Sequence, residues 1–138
     1  MEAKQTGVPK SPPAVRSARA KFLSGFAFAI AGIAYCVRTQ VNFRVHISIS
    51  IVAIILGVLL GMSWAEWALL ATVITLVLAA EMVNTMVESL VDLVTQEYHP
   101  LAKIAKDVSA GVVLVTALGA AVAGVLLFLP KLWIWLHL

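Results

Sequence analysis

The chain has 138 residues, of which 62% are hydrophobic and 12% are charged; soluble globular domains have about 45–50% apolar and about 25% charged residues. Together with a mean hydropathy of +0.99, this excludes a disordered chain, a disulfide scaffold and a soluble enzyme built on a sheet core. Seven of the ten Lys and Arg residues precede residue 45, ahead of the long apolar segments. That distribution is typical of a membrane-topology signal and gives no reason to expect a nucleic-acid partner.

The N-terminal third divides into a tail and a helix. Residues 1–15 contain three prolines and few large apolar side chains, which predicts a flexible tail. In 16–44, large apolar residues recur every three or four positions between basic ends, so we expect an amphipathic helix at a membrane surface, with a soluble core helix as the alternative. These apolar residues are Phe22, Phe26, Ile30, Ile33 and Val37.

Three segments, at about 45–64, 68–93 and 108–129, are long enough to span the roughly 30 Å hydrocarbon core of a bilayer. The first contains His46, interpreted as an interfacial residue, and a Gly57/Gly61 pair at the spacing that allows close helix approach. Basic residues place the N-terminus and the hinge after the second span in the cytoplasm. We therefore expect an all-α, multi-pass membrane protein with a surface helix, assembled as an oligomer that shields its polar residues from lipid.

The second span carries a stripe of polar residues. Glu81, Asn84, Thr85 and Glu88 lie at i, i+3, i+4 and i+7 on one helix face, and Asp92 continues the stripe. Ionisable groups are costly inside a bilayer and therefore indicate a functional site, although helix–helix bonding is an alternative role for Thr85. Carboxylates suit Mg²⁺ with substrate phosphates, and a deeply buried one suits a general base. This predicts proton transfer by Glu81 and metal binding by Glu88.

Charged residues also follow the hinge, on the same side of the membrane as Glu88 and Asp92. Lys103 and Lys106 can neutralise a phosphoryl group in transfer, and Asp107 can orient it or assist the metal. Carboxylates, a metal and a lysine at a membrane surface predict phosphoryl transfer to a lipid head group. The structural alternative is that Glu88 and Asp92 pair with these lysines only to hold the fold.

Two stretches together resemble a known family. E-x-x-N-T-x-x-E-x-x-x-D at 81–92 and E-Y-H-P-L-A-K-x-A-K-D-x-x-A-G at 97–111 are similar to the small integral-membrane prokaryotic diacylglycerol kinases, which include the undecaprenol kinases of Gram-positive bacteria. The resemblance runs from about Lys21 to the end of the third span. It implies a homotrimer in the bacterial cytoplasmic membrane, with three spans and a surface helix per subunit. It further implies that Mg-ATP phosphorylates a lipid alcohol at a site between subunits.

The resemblance also implies a role for each matching position. Glu81 corresponds to the catalytic base and Glu88 to a metal ligand, while Asn84 and Asp92 support the site. Ala110, with Glu81, falls where the family contacts its lipid. The positions expected to contact the nucleotide are Lys21, Glu97, His99, Lys106 and Asp107.

Gln40 departs from the family pattern, because a second metal-binding glutamate is usual at that position. A glutamine oxygen can coordinate Mg²⁺ but brings no charge. The resemblance therefore leaves three possibilities open: Gln40 is a neutral ligand, Asp92 or Asp107 replaces it, or this member is inactive.

Two further questions stay open at the level of sequence. A small oligomeric transporter or channel could use Glu81 as its coupling site, but this does not explain Lys106 and Asp107 at the cytoplasmic mouth. The lipid could be undecaprenol or diacylglycerol, and the N-F-R-x-H stretch at 42–46 with Pro100 slightly favours undecaprenol.

Overall fold

The structure, a computed structural model, describes residues 18–137, with side chains from Phe22 onwards; the predicted tail at 1–15 and the Lys21 side chain lie outside the described residues. Nearly all of the described chain is helical, which confirms the all-α class. Within it, four helices are long and apolar enough to cross a membrane. They are α1 Ala18–Thr39, α2 Val41–Leu59, α3 Trp64–Val94 and α4 Pro100–Leu136. The chain divides after Gly32 into two compact units, and the second carries the site.

A helix boundary falls at Gln40, inside the segment 16–44 for which the sequence predicted one helix. Gln40 has an extended backbone (φ −99°, ψ 115°), although no glycine or proline marks the position. Arg44 accounts for the break, since its guanidinium donates to the carbonyls of Val37 and Arg38 at 3.2 and 3.1 Å. Carbonyls in the last turn of a helix lack helical partners. Arg44 therefore caps α1, and the helix containing the expected first span begins at Val41 rather than at 45.

The turn between α2 and α3 depends on a glycine and a capping serine. Gly61 has a φ of +62°, which glycine adopts without steric penalty. Ser63 then forms a capping box: its Oγ accepts from the Glu66 N–H at 3.4 Å, and its own N–H donates to Glu66 Oε2 at 2.6 Å. Of the predicted glycine pair, Gly57 lies in a helix and Gly61 ends one.

The most extensive helix packing in the described chain is between α3 and α4. Ion pairs join the two helices at both ends of their contact. Lys131 Nζ lies 3.1 Å from Glu66 Oε2 beside the α2–α3 turn, and Lys106 Nζ lies 2.6 Å from Asp92 Oδ1 beside the hinge. Glu66 and Asp92 are about 39 Å apart along α3. The part of the polar stripe from Glu81 to Glu88 therefore lies between the two ion pairs.

Gly57 is a close-packing point between α2 and α3. A Cβ there would lie 2.6 Å from Met62 Sδ and 2.9 Å from Trp67 Cη2. We expect Gly57→Ala to lower the free energy of unfolding in micelles by about 1–3 kcal/mol, as overpacking does. Gly119→Ala is the matched control, since a Cβ at Gly119 meets nothing within 4 Å. Equal losses in the two variants would contradict this packing.

Candidate active site

The stripe on α3 passes from a buried to an exposed environment along the helix. Glu81, Asn84 and Thr85 are 2%, 9% and 5% exposed, Glu88 is half-buried, and Asp92 is exposed. Burial by protein therefore decreases along α3 from Glu81 to Asp92. One helix carries both a buried and an exposed carboxylate.

Glu81 faces His46 of α2. The distance from His46 Nε2 to Glu81 Oε1 is 3.4 Å, and this oxygen has no hydrogen-bond partner among the described residues. The sequence did not predict this contact, which the packing of α2 on α3 creates. The location of His46 at the membrane interface stays a prediction. Thr85 donates its hydroxyl to the Glu81 carbonyl at 2.9 Å, so it bonds within its own helix and does not link two helices.

A hydrogen-bonded chain holds Glu88. The Asn84 Nδ2 donates to Glu88 Oε1 at 3.0 Å, and Ser109 Oγ of α4 donates to Asn84 Oδ1 at 2.7 Å. A carboxylate only accepts, so the Asn84 amide must direct its nitrogen to Glu88 and its oxygen to Ser109. The sequence did not predict a role for Ser109, which is 6% exposed, because its partner Asn84 lies on another helix.

The hinge between α3 and α4 forms a cavity of about 400 Å³. Helix α3 ends where Thr95 becomes extended and its hydroxyl accepts from the Glu97 N–H at 3.2 Å. Helix α4 begins at Pro100, preceded by an extended His99, the conformation that proline imposes on its predecessor. His99 Nδ1 accepts from the Leu101 N–H at 3.2 Å, which leaves Nε2 for a ligand. The polar residues lining the cavity include Asp92, Glu97, His99, Lys103, Lys106 and Asp107.

Both lysines that line this hinge cavity form ion pairs. Lys106 bonds Asp92 across the two helices, and Lys103 bonds Asp107 one turn along α4. The structural alternative considered for Asp92 is thus seen, whereas Glu88 bonds Asn84. Pairs this exposed contribute little to folding, about 0–1 kcal/mol each, so they can rearrange around a ligand at low cost.

Two of the predicted positions, Gln40 and Ala110, are not among the described residues that line the hinge cavity. Gln40 is half-buried at the α1–α2 junction, and Ala110 is exposed on α4 beside Ser109. Among the described residues, no three His, Cys, Asp or Glu side chains come close enough to hold a metal. Mg²⁺ commonly takes one or two carboxylates and completes its shell with water and substrate phosphates. Glu88, half-buried and oriented by Asn84, fits such a site.

The comparisons with known proteins agree on one family. Residues 27–128 match the model of the prokaryotic diacylglycerol kinases. The undecaprenol kinase of Bacillus subtilis is 40% identical over 112 residues, which cover 81% of this chain and 91% of that protein. The diacylglycerol kinase of Synechocystis is 45% identical over 111 residues, covering 80% of this chain and 63% of that protein. That of Pseudomonas aeruginosa is 36% identical over 87 residues, covering 63% of this chain and 71% of that protein.

This chain belongs to the prokaryotic diacylglycerol kinase family. The resemblance carried by the E-x-x-N-T-x-x-E-x-x-x-D and A-K-D residues is therefore confirmed. The expectation of a lipid kinase is confirmed with it, and none of these matches favours a transporter or a channel.

Ser109 tests the chain of hydrogen bonds that holds Glu88. We expect Ser109→Ala to lower the free energy of unfolding by about 1–3 kcal/mol, because Asn84 Oδ1 stays buried and loses its donor. Ser89→Ala is the matched control, since the Ser89 hydroxyl donates to the Thr85 carbonyl within its own helix, and we expect a change below about 0.5 kcal/mol. A denaturant titration in mixed micelles measures both, and similar values for the two would refute the proposed network.

Proposed function

We propose that this protein transfers the γ-phosphoryl group of ATP to the hydroxyl of a membrane lipid alcohol, at the cytoplasmic face of a bacterial membrane. One observation carries the proposal: α3 bears the buried carboxylate of Glu81 and also contributes Asp92 to the charged hinge cavity. Glu81 and Asp92 are about 16 Å apart along α3, and Asp92 lines the hinge cavity. A lipid hydroxyl can approach Glu81 from the membrane, and a nucleotide can approach Asp92 and the hinge cavity from water.

The hinge cavity suits the polyphosphate of a nucleotide. Lys106 offers an ammonium that can leave Asp92 and balance the charge developing on the phosphoryl oxygens. Asp107 can orient the phosphates or assist a metal. Glu97 and His99 also line the cavity. Because His99 Nδ1 accepts from the Leu101 N–H, its Nε2–H can donate to a ligand.

Glu81 is assigned as the general base. The O–H bond of the lipid alcohol breaks and its proton passes to the Glu81 carboxylate, while the alcohol oxygen forms a bond to the γ-phosphorus. The bond from that phosphorus to the β,γ-bridging oxygen breaks, which gives the lipid phosphate monoester and ADP. The burial of Glu81 keeps bulk water from competing as the acceptor.

Glu88 would hold Mg²⁺, with the Gln40 amide oxygen as a neutral second ligand. When bound, the ion neutralises charge on the β- and γ-phosphates. Asn84 and Ser109 serve this site by fixing the Glu88 carboxylate before the nucleotide arrives.

We further propose a homotrimer with α1 on the membrane surface, the N-terminus in the cytoplasm and the site shared between subunits. The basic ends of α1 and the basic residues of the hinge support the surface helix and the cytoplasmic N-terminus. The homotrimer and the shared site are what the resemblance to this family implies. We assign Ala110, exposed beside Ser109, to contact with the lipid.

The acceptor lipid is proposed to be undecaprenol rather than diacylglycerol. The N-F-R-x-H stretch at 42–46 supports this choice, as does the Bacillus subtilis relative, named undecaprenol kinase, which the match covers almost from end to end. The Synechocystis relative, slightly more identical, is named diacylglycerol kinase, so both lipids belong in the test.

The proposal is tested by offering each lipid separately in mixed micelles with Mg²⁺ and ATP labelled on the γ-phosphate. We expect labelled undecaprenyl phosphate from the unchanged protein and at least a hundredfold loss of rate in Glu81→Gln, since a general base contributes about 10²–10⁴. Glu66→Gln, at the far end of α3, is the control and should keep its activity. If Glu81→Gln kept its activity, Glu81 would not be the general base. No product from either lipid, with activity restored by Gln40→Glu, would identify an inactive member.

Lys106 is expected to act on the nucleotide. We expect Lys106→Gln to raise the KM for ATP about tenfold to a hundredfold, the equivalent of a charged hydrogen bond worth about 1.5–3 kcal/mol, with the KM for lipid unchanged. Lys131→Gln is the control, because Lys131 forms the corresponding ion pair at the other end of α3 and α4. Steady-state kinetics at varied ATP measures both. A rise in the lipid KM alone would reassign Lys106.

A further inference from the structure

The carboxylate of Glu81 needs a partner that fixes its orientation, because a buried carboxylate with an unbonded oxygen is costly. Its neighbours on α3 do not supply one. Thr85 donates its hydroxyl to the Glu81 carbonyl, and Asn84 donates to Glu88. Glu88 itself, two turns along, is a like charge.

Helix α4 does not supply this partner either. Its buried hydroxyl, that of Ser109, donates to Asn84. Among the described residues, the group that reaches Glu81 from another helix is the imidazole of His46, with Nε2 3.4 Å from Glu81 Oε1. His46 is also the only titratable side chain between Val45 and Trp64.

The surroundings strengthen this contact. The His46 side chain is only 20% exposed, and it lines an apolar cavity of about 380 Å³ between α2, α3 and α4. A hydrogen bond in such low-dielectric surroundings is stronger than in water. Hydrogen bonds of catalytic groups are often long before substrate binds and shorten in the complex, which a 3.4 Å separation permits.

We propose that His46 is a positioning residue for phosphoryl transfer: its Nε2–H donates to Glu81 Oε1 and leaves Oε2 directed at the hydroxyl of the lipid alcohol. The inference rests on the proposed role of Glu81 as the base. It inverts the familiar arrangement in which a carboxylate orients a basic imidazole, since here the imidazole orients a basic carboxylate. His46 touches neither the nucleotide nor the reacting phosphorus.

The test compares two substitutions of His46 with a matched control. His46→Leu removes the donor, and we expect kcat to fall between about tenfold and a hundredfold, the effect of a base misplaced by about 1 Å, while the KM for ATP stays unchanged. His46→Gln keeps an N–H donor and should recover most of the loss. His137→Leu, a substitution of the same kind at the end of α4, should match the unchanged protein.

Coupling to Glu81 separates this inference from the proposed function. In a Glu81→Gln background, His46→Leu should cause no further loss of kcat, because the two residues act as a unit. If Glu81→Gln is inactive and His46→Leu keeps full kcat, the positioning role is overturned and the kinase proposal stands. If Glu81→Gln is active, the base assignment fails first. A change in the KM for ATP with unchanged kcat also overturns the positioning role.

A spectroscopic measurement decides the matter even if His46→Leu does not assemble. With histidine labelled at Cε1 in lipid nanodiscs, the ring signal of His46 should shift when Glu81 becomes Gln. The signals of His99 and His137 should not move. An unchanged His46 signal would overturn the proposal.

Discussion

Placing a carboxylate in the middle of an apolar helix constrains every element packed around it. A charged group in hydrocarbon is stable only when it faces other protein groups or a polar cavity. Glu81 on α3 is 2% exposed, and α2 provides the histidine that reaches it. One turn further along α3, Asn84 needs partners for its buried amide, and α4 provides Ser109. The polar stripe therefore determines which faces of α2 and α4 turn inwards.

Along the same helix, the surroundings of the site change from buried at Glu81 to exposed at Asp92. At the buried end the hydrogen bonds are few and specific, whereas at the hinge end Asp92 and Lys106 form an exposed pair of little value to folding. Such pairs can exchange partners with a charged ligand. A kinase acting on a membrane lipid needs both environments, because its acceptor is dissolved in hydrocarbon and its phosphoryl donor in water.

Much of this arrangement is predictable from the sequence, because it depends on local spacing. The stripe follows from the period of a helix, and the hinge follows from the polar run that ends in His-Pro at 99–100. The break at Gln40 is not predictable, since its cause is the Arg44 side chain reaching back to carbonyls of the preceding helix. The contacts of His46 and Ser109 are not predictable either, because their partners lie on another helix. A lone histidine or serine in an apolar segment gives no sign of what it faces.

In the function proposed above, the polar stripe of α3 directs the phosphoryl group to a lipid hydroxyl and excludes water. The most direct measurement follows the label of γ-labelled ATP into lipid-extractable phosphate and into inorganic phosphate, with and without lipid alcohol. We expect label to enter the lipid, inorganic phosphate to stay at background without lipid, and Glu81→Gln to abolish the transfer. Release of inorganic phosphate at the same rate without lipid, or lipid labelling that survives Glu81→Gln, would contradict this role of α3.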